Sequence, residues 1–273
     1  MTPIDKMSFR RIMSLTGALV SERRRRLLLQ GLAMLGIMLV FMIFQPYSHS
    51  WGYEHSDVDP VTAVMGMAYL LGFYVFGCIG ASTMFSDLST RQGRINTLMR
   101  PAYAIEKFAS RWLIYTPCYM VVYAICVIVC EAARTLLTHA IYDHPVVTPL
   151  YSVLFDRDLM HAMTSHISDF GEIVTISMLG FLALQSFFML GSAVWPRISF
   201  VKTFSVCYLF AAVTLVSAIV VDKMTSVSGI HVGSVIDDND FAIGVTLLTA
   251  ATLINWILTW LRLGETDVIT TKR

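Results

Sequence analysis

An all-α, polytopic membrane protein with six transmembrane helices is the fold class this sequence predicts, and three observations predict it. Apolar residues make up 56% of the 273-residue chain and charged residues only 14%, where soluble domains carry about 25% charged residues. Mean hydropathy is correspondingly high, +0.65. The apolar residues gather in six runs, each close to the roughly 17–25 residues that a helix needs to cross a bilayer. Finally, 17 of the 20 lysines and arginines fall on alternate linkers and on the two ends. Basic residues beside a span stay on the cytoplasmic side, so both termini are expected there.

Each element follows in order. Residues 1–26 are expected to be cytoplasmic or interfacial, with an amphipathic helix over 6–22. Phe9, Ile12, Met13, Thr16, Leu19 and Val20 share one helical face, while Lys6, Arg10, Ser14 and Ser21 lie away from it. A helix of this kind can lie in the inner membrane interface. Arg23 to Arg26 then form a basic run abutting an apolar segment, the pattern of an orientation anchor and not of a nucleic-acid patch. The first span is 27–44, and the loop to Pro60 has three acids and no Lys or Arg, so it is external. The second span, 61–85, carries Gly66, Gly72, Gly77 and Gly80. Gly77 and Ala81 form a small-xxx-small pair suited to close helix packing.

The third span, 113–137, contains Pro117, which should kink it near the inner face. Cys126 and Cys130 are four apart on one side; without further ligands they read as packing residues. Glu131 and Arg134 are three apart and can pair on one face; as charges at a span end they are also candidates for function. The loop over 138–171 is the largest external segment. It holds His139, His144, His161 and His166, which with His49, His55 and His231 place every histidine outside. Their spacings fix no ligand set, so no metal site is assigned. The fourth span, 173–194, has Gln185 and Ser186 at mid-depth, where polar groups need partners; they line a path or join helices. The fifth span is 204–221. The sixth, 241–261, has Asn255, a further polar group for a path or for packing, and Trp256 and Trp260 at the inner interface. The six-helix domain thus occupies 27–262, and 263–273 is a cytoplasmic tail. The five cysteines all lie in predicted spans, which gives no disulfide framework.

The stretch that bears most on function is 86–112, between the second and third spans. It contains Arg91, Arg94, Arg100, Lys107 and Arg111 against Asp87 and Glu106. Such a basic linker is cytoplasmic. Pro101 suits the first turn of a helix, and no breaker follows until Pro117, so a helix is expected to start in the cytoplasm and run into the membrane. The linker reads as a docking element for a cytoplasmic partner, with Asp87, Arg91, Arg94, Arg100, Pro101, Glu106, Lys107 and Arg111 as its candidate residues.

Leu98, Pro101, Ala102, Glu106, Lys107, Phe108, Arg111 and Trp112 in this stretch resemble the cytoplasmic loop of type-2 ATP-binding-cassette (ABC) exporter permeases of the kind common in Bacteroidetes. Arg100 stands where that family usually has an apolar residue, and Tyr103 where it usually has a small hydroxyl residue. The resemblance implies a permease subunit in a bacterial cytoplasmic (inner) membrane. It implies a homodimer, or a heterodimer with a second permease, and two copies of a separate ABC ATPase. ATP and Mg would reside on that partner, with no cofactor in this chain. The ATPase would grip the stretch from Ser86 to Arg111.

The residues themselves exclude several chemistries. No span carries histidines for a membrane zinc protease or a base for a serine intramembrane protease. There is no Gly-rich Lys-Ser/Thr phosphate loop, so the chain is not expected to hydrolyse ATP itself. No catalytic residue is assigned. Two other classes stay open beside the permease: a non-transport scaffold or sensor whose external loops bind a partner or metal, and an ion-coupled secondary transporter. The scarcity of mid-membrane charge weighs against the last.

Overall fold

The computed structural model describes residues 9–48, 59, 61–99, 102–142, 147, 170–228 and 240–269. Every element among them is helical. Helix α1 is Phe9–Ser48, α2 is Thr62–Ser82, and a 3-10 turn covers Ser86–Ser89. Helices α3 (Arg91–Leu98) and α4 (Ala104–Leu113) follow, then a π-helical turn at Ile114–Cys118 and α5 (Tyr119–Ile141). Helices α6 (Phe170–Val194), α7 (Ser199–Ser228) and α8 (Asp240–Ile269) complete the order. Among the described residues five stretches are long and apolar enough to cross a membrane: Phe9–Gln45, Val64–Ser82, Ala104–Ile141, Val174–Val194 and Ala242–Glu265. In α7 the apolar stretch runs over Ser199–Thr214, within a helix that continues to Ser228. The external loop expected over 138–171 lies mostly outside the described residues.

The chain divides into two compact units, one of residues 1–77 and 105–170, the other of 78–104 and 171–273. In the first unit α1 differs from expectation. The interfacial helix and the first span are one unbroken 40-residue helix, about 60 Å long at 1.5 Å per residue. The sequence shows why: between Phe9 and Phe44 there is no proline, and its glycines, Gly17, Gly31 and Gly36, are isolated. Burial follows a single stripe along the whole helix, through Ile12, Leu19, Arg23, Met34, Met38, Met42 and Gln45. Spacings of three, four, seven and eleven mark one helix face, so the same face packs from end to end.

Pro117 distorts its helix as expected, by a defined device. The π turn at Ile114–Cys118 encloses it. A proline lacks the N–H for a helical bond and its ring crowds the carbonyl four residues back; widening the turn relieves both demands. Helix α4 begins at Ala104, three residues later than the Pro101 start expected from sequence.

Three helices share the core of this unit. Met34, Met38 and Met42 of α1 pack with Met65 and Tyr69 of α2 and with Tyr123, Cys126 and Cys130 of α5. Two tyrosines one turn apart zip α5 to α2. The Tyr119 hydroxyl donates to the Phe73 carbonyl at 2.7 Å, and the Tyr123 hydroxyl donates to the Tyr69 carbonyl. Phe73 stacks on Tyr119 at 5.9 Å and meets Tyr123 edge-on at 5.3 Å. Gly72 makes room for this: a Cβ there would lie 2.9 Å from the Tyr123 hydroxyl.

In the second unit, α6 buries Phe181, Gln185, Ser186, Phe188, Met189, Ser192 and Ala193. Gly191 lets α7 approach, since a Cβ at that position would run into the Thr203 side chain. Phe188 stacks on Phe200 and Phe200 on Phe204, with centroids 5.5 and 5.9 Å apart. The turn between α6 and α7 forces Ile198 to φ 58°, a left-handed conformation that a β-branched residue rarely adopts.

Candidate functional site

The predicted docking stretch folds as two separate pieces, one in each unit. Its first piece is the 3-10 turn and α3. Thr90 caps α3, its Oγ1 accepting the Gly93 N–H at 3.2 Å, as a threonine before a first helical turn is suited to do. Gly93 has no alternative here, because a Cβ would strike the Asp87 carbonyl oxygen. The short helix is therefore fixed tightly on the preceding turn. Arg91 and Arg94 are exposed on it and Asp87 is half-buried. This piece presents two guanidinium groups on a rigid support.

The second piece, α4, inverts the usual amphipathic arrangement. Glu106, Lys107, Ser110 and Arg111 are all buried, Glu106 at 0% exposure. Ile105 and Phe108 are only half-buried. Surface helices ordinarily turn their charges outward, and charged residues are almost never fully buried unless paired. Glu106, Lys107 and Arg111 all take part in polar or electrostatic contacts. Three of the docking candidates are thus buried within the chain. Arg100 and Pro101 lie outside the described residues. One turn further on, Tyr115 sits in the π turn, and its hydroxyl accepts a hydrogen bond from Arg23 Nη1 of α1 at 2.9 Å. Arg23, read as one of four anchoring arginines, is buried; Arg24, Arg25 and Arg26 are exposed.

At the other end of α5 the Glu131–Arg134 pair forms as expected, Arg134 Nη2 donating to Glu131 Oε2 at 3.0 Å. The structure adds a third member. Arg134 Nη1 donates to Asp59 Oδ2 at 2.8 Å, with both side chains fully buried. Asp59 Oδ1 also accepts the Val61 N–H at 3.1 Å, so one carboxylate both starts α2 and holds α5. Tyr69 lies beside Glu131, Cys130 and Arg134. Sequence reading missed Asp59 because it stands among other loop acids 75 residues from its partner. Its place directly before Pro60 and α2 was the one available cue, since Asp favours helix starts.

The mid-span polar residues resolve toward packing. Asn255 Nδ2 of α8 donates to Ser186 Oγ of α6 at 3.0 Å, and Ser186 returns its own hydrogen to the Ala183 carbonyl at 2.7 Å. Gln185 is buried beside them on the sequence. On α8 the Thr252, Thr259 and Leu263 side chains are buried at helical spacing around Asn255. Polar hydrogen bonds and small hydroxyl residues are what joins helices where lipid offers no hydrophobic contrast.

Fold and site together define a helical protein of the integral-membrane class, with five helices among the described residues long and apolar enough to span a bilayer. No family model, no curated protein and no solved structure matches the chain.

Proposed function

We propose that the chain is the transmembrane permease subunit of an ATP-driven ABC exporter, coupled through residues 86–112 to a separate ATPase. The observation that carries this reading is the linker itself. A stretch of 27 residues between two apolar helices is built as a capped helix and a braced helix, where a mere connection needs only a few residues. Arg91 and Arg94 offer charge-assisted hydrogen bonds to a carboxylate-bearing groove. The α4–π–α5 column, anchored by buried Glu106, Lys107 and Arg111, then carries a push on the linker into the bundle. In this reading α7 is the fifth of six spans and both termini are cytoplasmic, in a bacterial inner membrane. Two permease chains pair, and ATP and Mg reside on the partner. ATP shifts the conformational balance only by binding one state more tightly than the other.

Gentle purification from the native membrane tests the proposal. A stoichiometric ATPase should accompany the chain, and Arg91→Glu with Arg94→Glu should abolish that association while leaving the chain's own folding intact. A chain that purifies alone and functions without nucleotide would overturn it. That second outcome would favour an ion-coupled secondary transporter, for which the buried Asp59–Arg134–Glu131 triad is the supporting observation, since intramembrane ionisable groups mark ion pathways.

A further inference from the structure

Cys126 and Cys130 acquire in the fold what they lack in the sequence: further soft donors. Both thiols are buried in the core that holds Met34, Met38 and Met42 of α1 and Met65 of α2. The three α1 methionines recur every fourth residue, so their thioethers form one row, about 12 Å long at 1.5 Å per residue. The two cysteines, also four apart, face one side of α5. Helices α1 and α5 run parallel here, because Arg23 of α1 meets Tyr115 just before the start of α5 and the later turns of both share the core. The offset from Met34 to Cys126, and from Met38 to Cys130, equals that from Arg23 to Tyr115. Four thioethers and two thiols from three helices thus belong to one buried cluster. Among the described residues no trio of His, Cys, Asp and Glu suited to a metal occurs; the donor set here is the sulfur cluster. Thioether and thiol donors select Cu(I) and its analogue Ag(I).

We infer that Met34, Met38, Met42, Met65, Cys126 and Cys130 form a binding site for a soft monovalent cation, Cu(I) or Ag(I), within the crossing part of α1, α2 and α5. The site holds the ion by sulfur alone, in a dry core, and the row along α1 supplies successive positions along the membrane normal. It stands independently of the ATPase partner.

The test uses the full chain purified in detergent with Cys118, the exposed cysteine, replaced by serine. Cu(I) is supplied under ascorbate against a competing chelator, and X-ray absorption reads the coordination. One equivalent of Cu(I) in a sulfur-only environment is expected. The Met34→Leu, Met38→Leu, Met42→Leu triple variant should bind at least tenfold more weakly, and Cys126→Ala with Cys130→Ala should do the same. Met-to-Leu swaps conserve volume and are well tolerated, so the triple variant remains a folded comparator even where the cysteine variant does not. Replacement of the exposed Met13 and Met178 by leucine should change nothing. Cu(I) binding that is equal in parent and triple variant, or absent from both, would show that the cluster is packing alone and overturn the inference.

Discussion

Arg134 is the residue on which most depends locally. Its guanidinium is fully buried and bonded to Asp59 and Glu131, and it is the only cation between the span-three apolar run and residue 156. Removing one member of a buried ion pair strands the other's charge, which costs about 3–5 kcal/mol. Arg134→Leu should therefore lower the unfolding midpoint in detergent sharply. Asp59→Asn should cost less, because its side-chain oxygen can still accept the Val61 N–H. An Arg134→Leu protein as stable as the parent would refute this account. Ile198 makes the opposite case. Its left-handed backbone costs roughly 1–2 kcal/mol for a residue with a Cβ, and glycine adopts it freely. With its side chain mostly exposed, Ile198→Gly should raise thermal stability, read in the same melt. The Glu131–Arg134 spacing was legible in the sequence. Asp59 was not, since long-range pairing leaves no periodic mark.

At the scale of elements, glycines show which helix contacts are tight. Gly36 of α1 has nothing within 4 Å of where a Cβ would stand, whereas Gly191 would meet Thr203. Gly36→Ala should be neutral or stabilising by up to about 1 kcal/mol, the helix-propensity difference. Gly191→Val should destabilise by about 1–3 kcal/mol through overpacking. Equal midpoints for the two variants would mean that α6 and α7 do not approach closely. The helices themselves were readable from hydropathy, as was the distortion at Pro117, because a missing N–H acts wherever it is placed. The joints were less readable. Tyr119 and Tyr123 grip backbone carbonyls, which every residue possesses, so no side-chain pattern announces their partners. The division between α1 and a separate interfacial helix failed for a related reason. Four arginines look like a boundary in one dimension, yet on a helix Arg23 turns to the packed face and the other three turn outward. Nor was the burial of Glu106, Lys107 and Arg111 on α4 readable, because charge alone does not tell a solvent face from a packed one.

For the whole molecule the decisive quantity is the number of crossings. Five crossings put the two termini on opposite faces of the membrane, and six put them on the same face. The proposed permease layout has six, and the distribution of lysine and arginine is its support. Arg10, Arg11 and Arg24 to Arg26 at the start of α1, Arg91 and Arg94 on α3, and Arg262 near the end of α8 all stay on the cytoplasmic side only if α7 crosses. With five crossings the α8 end, including Arg262, would have to be translocated against the positive-inside bias. Helix α7 is compatible with crossing by length. Its 30 residues reach about 45 Å at 1.5 Å per residue, beyond the roughly 30 Å hydrocarbon core, and Phe204, Leu209, Phe210, Val213 and Val216 are all exposed on it, as lipid-facing residues are. Single cysteines introduced at Arg10, Arg91, Val147 and Glu265 of a cysteine-free chain test this directly. A membrane-impermeant maleimide applied to intact cells should label Val147→Cys alone; the other three should react only after the membrane is opened. Labelling of Glu265→Cys in intact cells would place the α8 end outside, remove α7 from the crossing set, and with it the permease layout proposed here. Labelling of Arg91→Cys would go further, since it would put the capped helix α3 on the face where no ATPase is present.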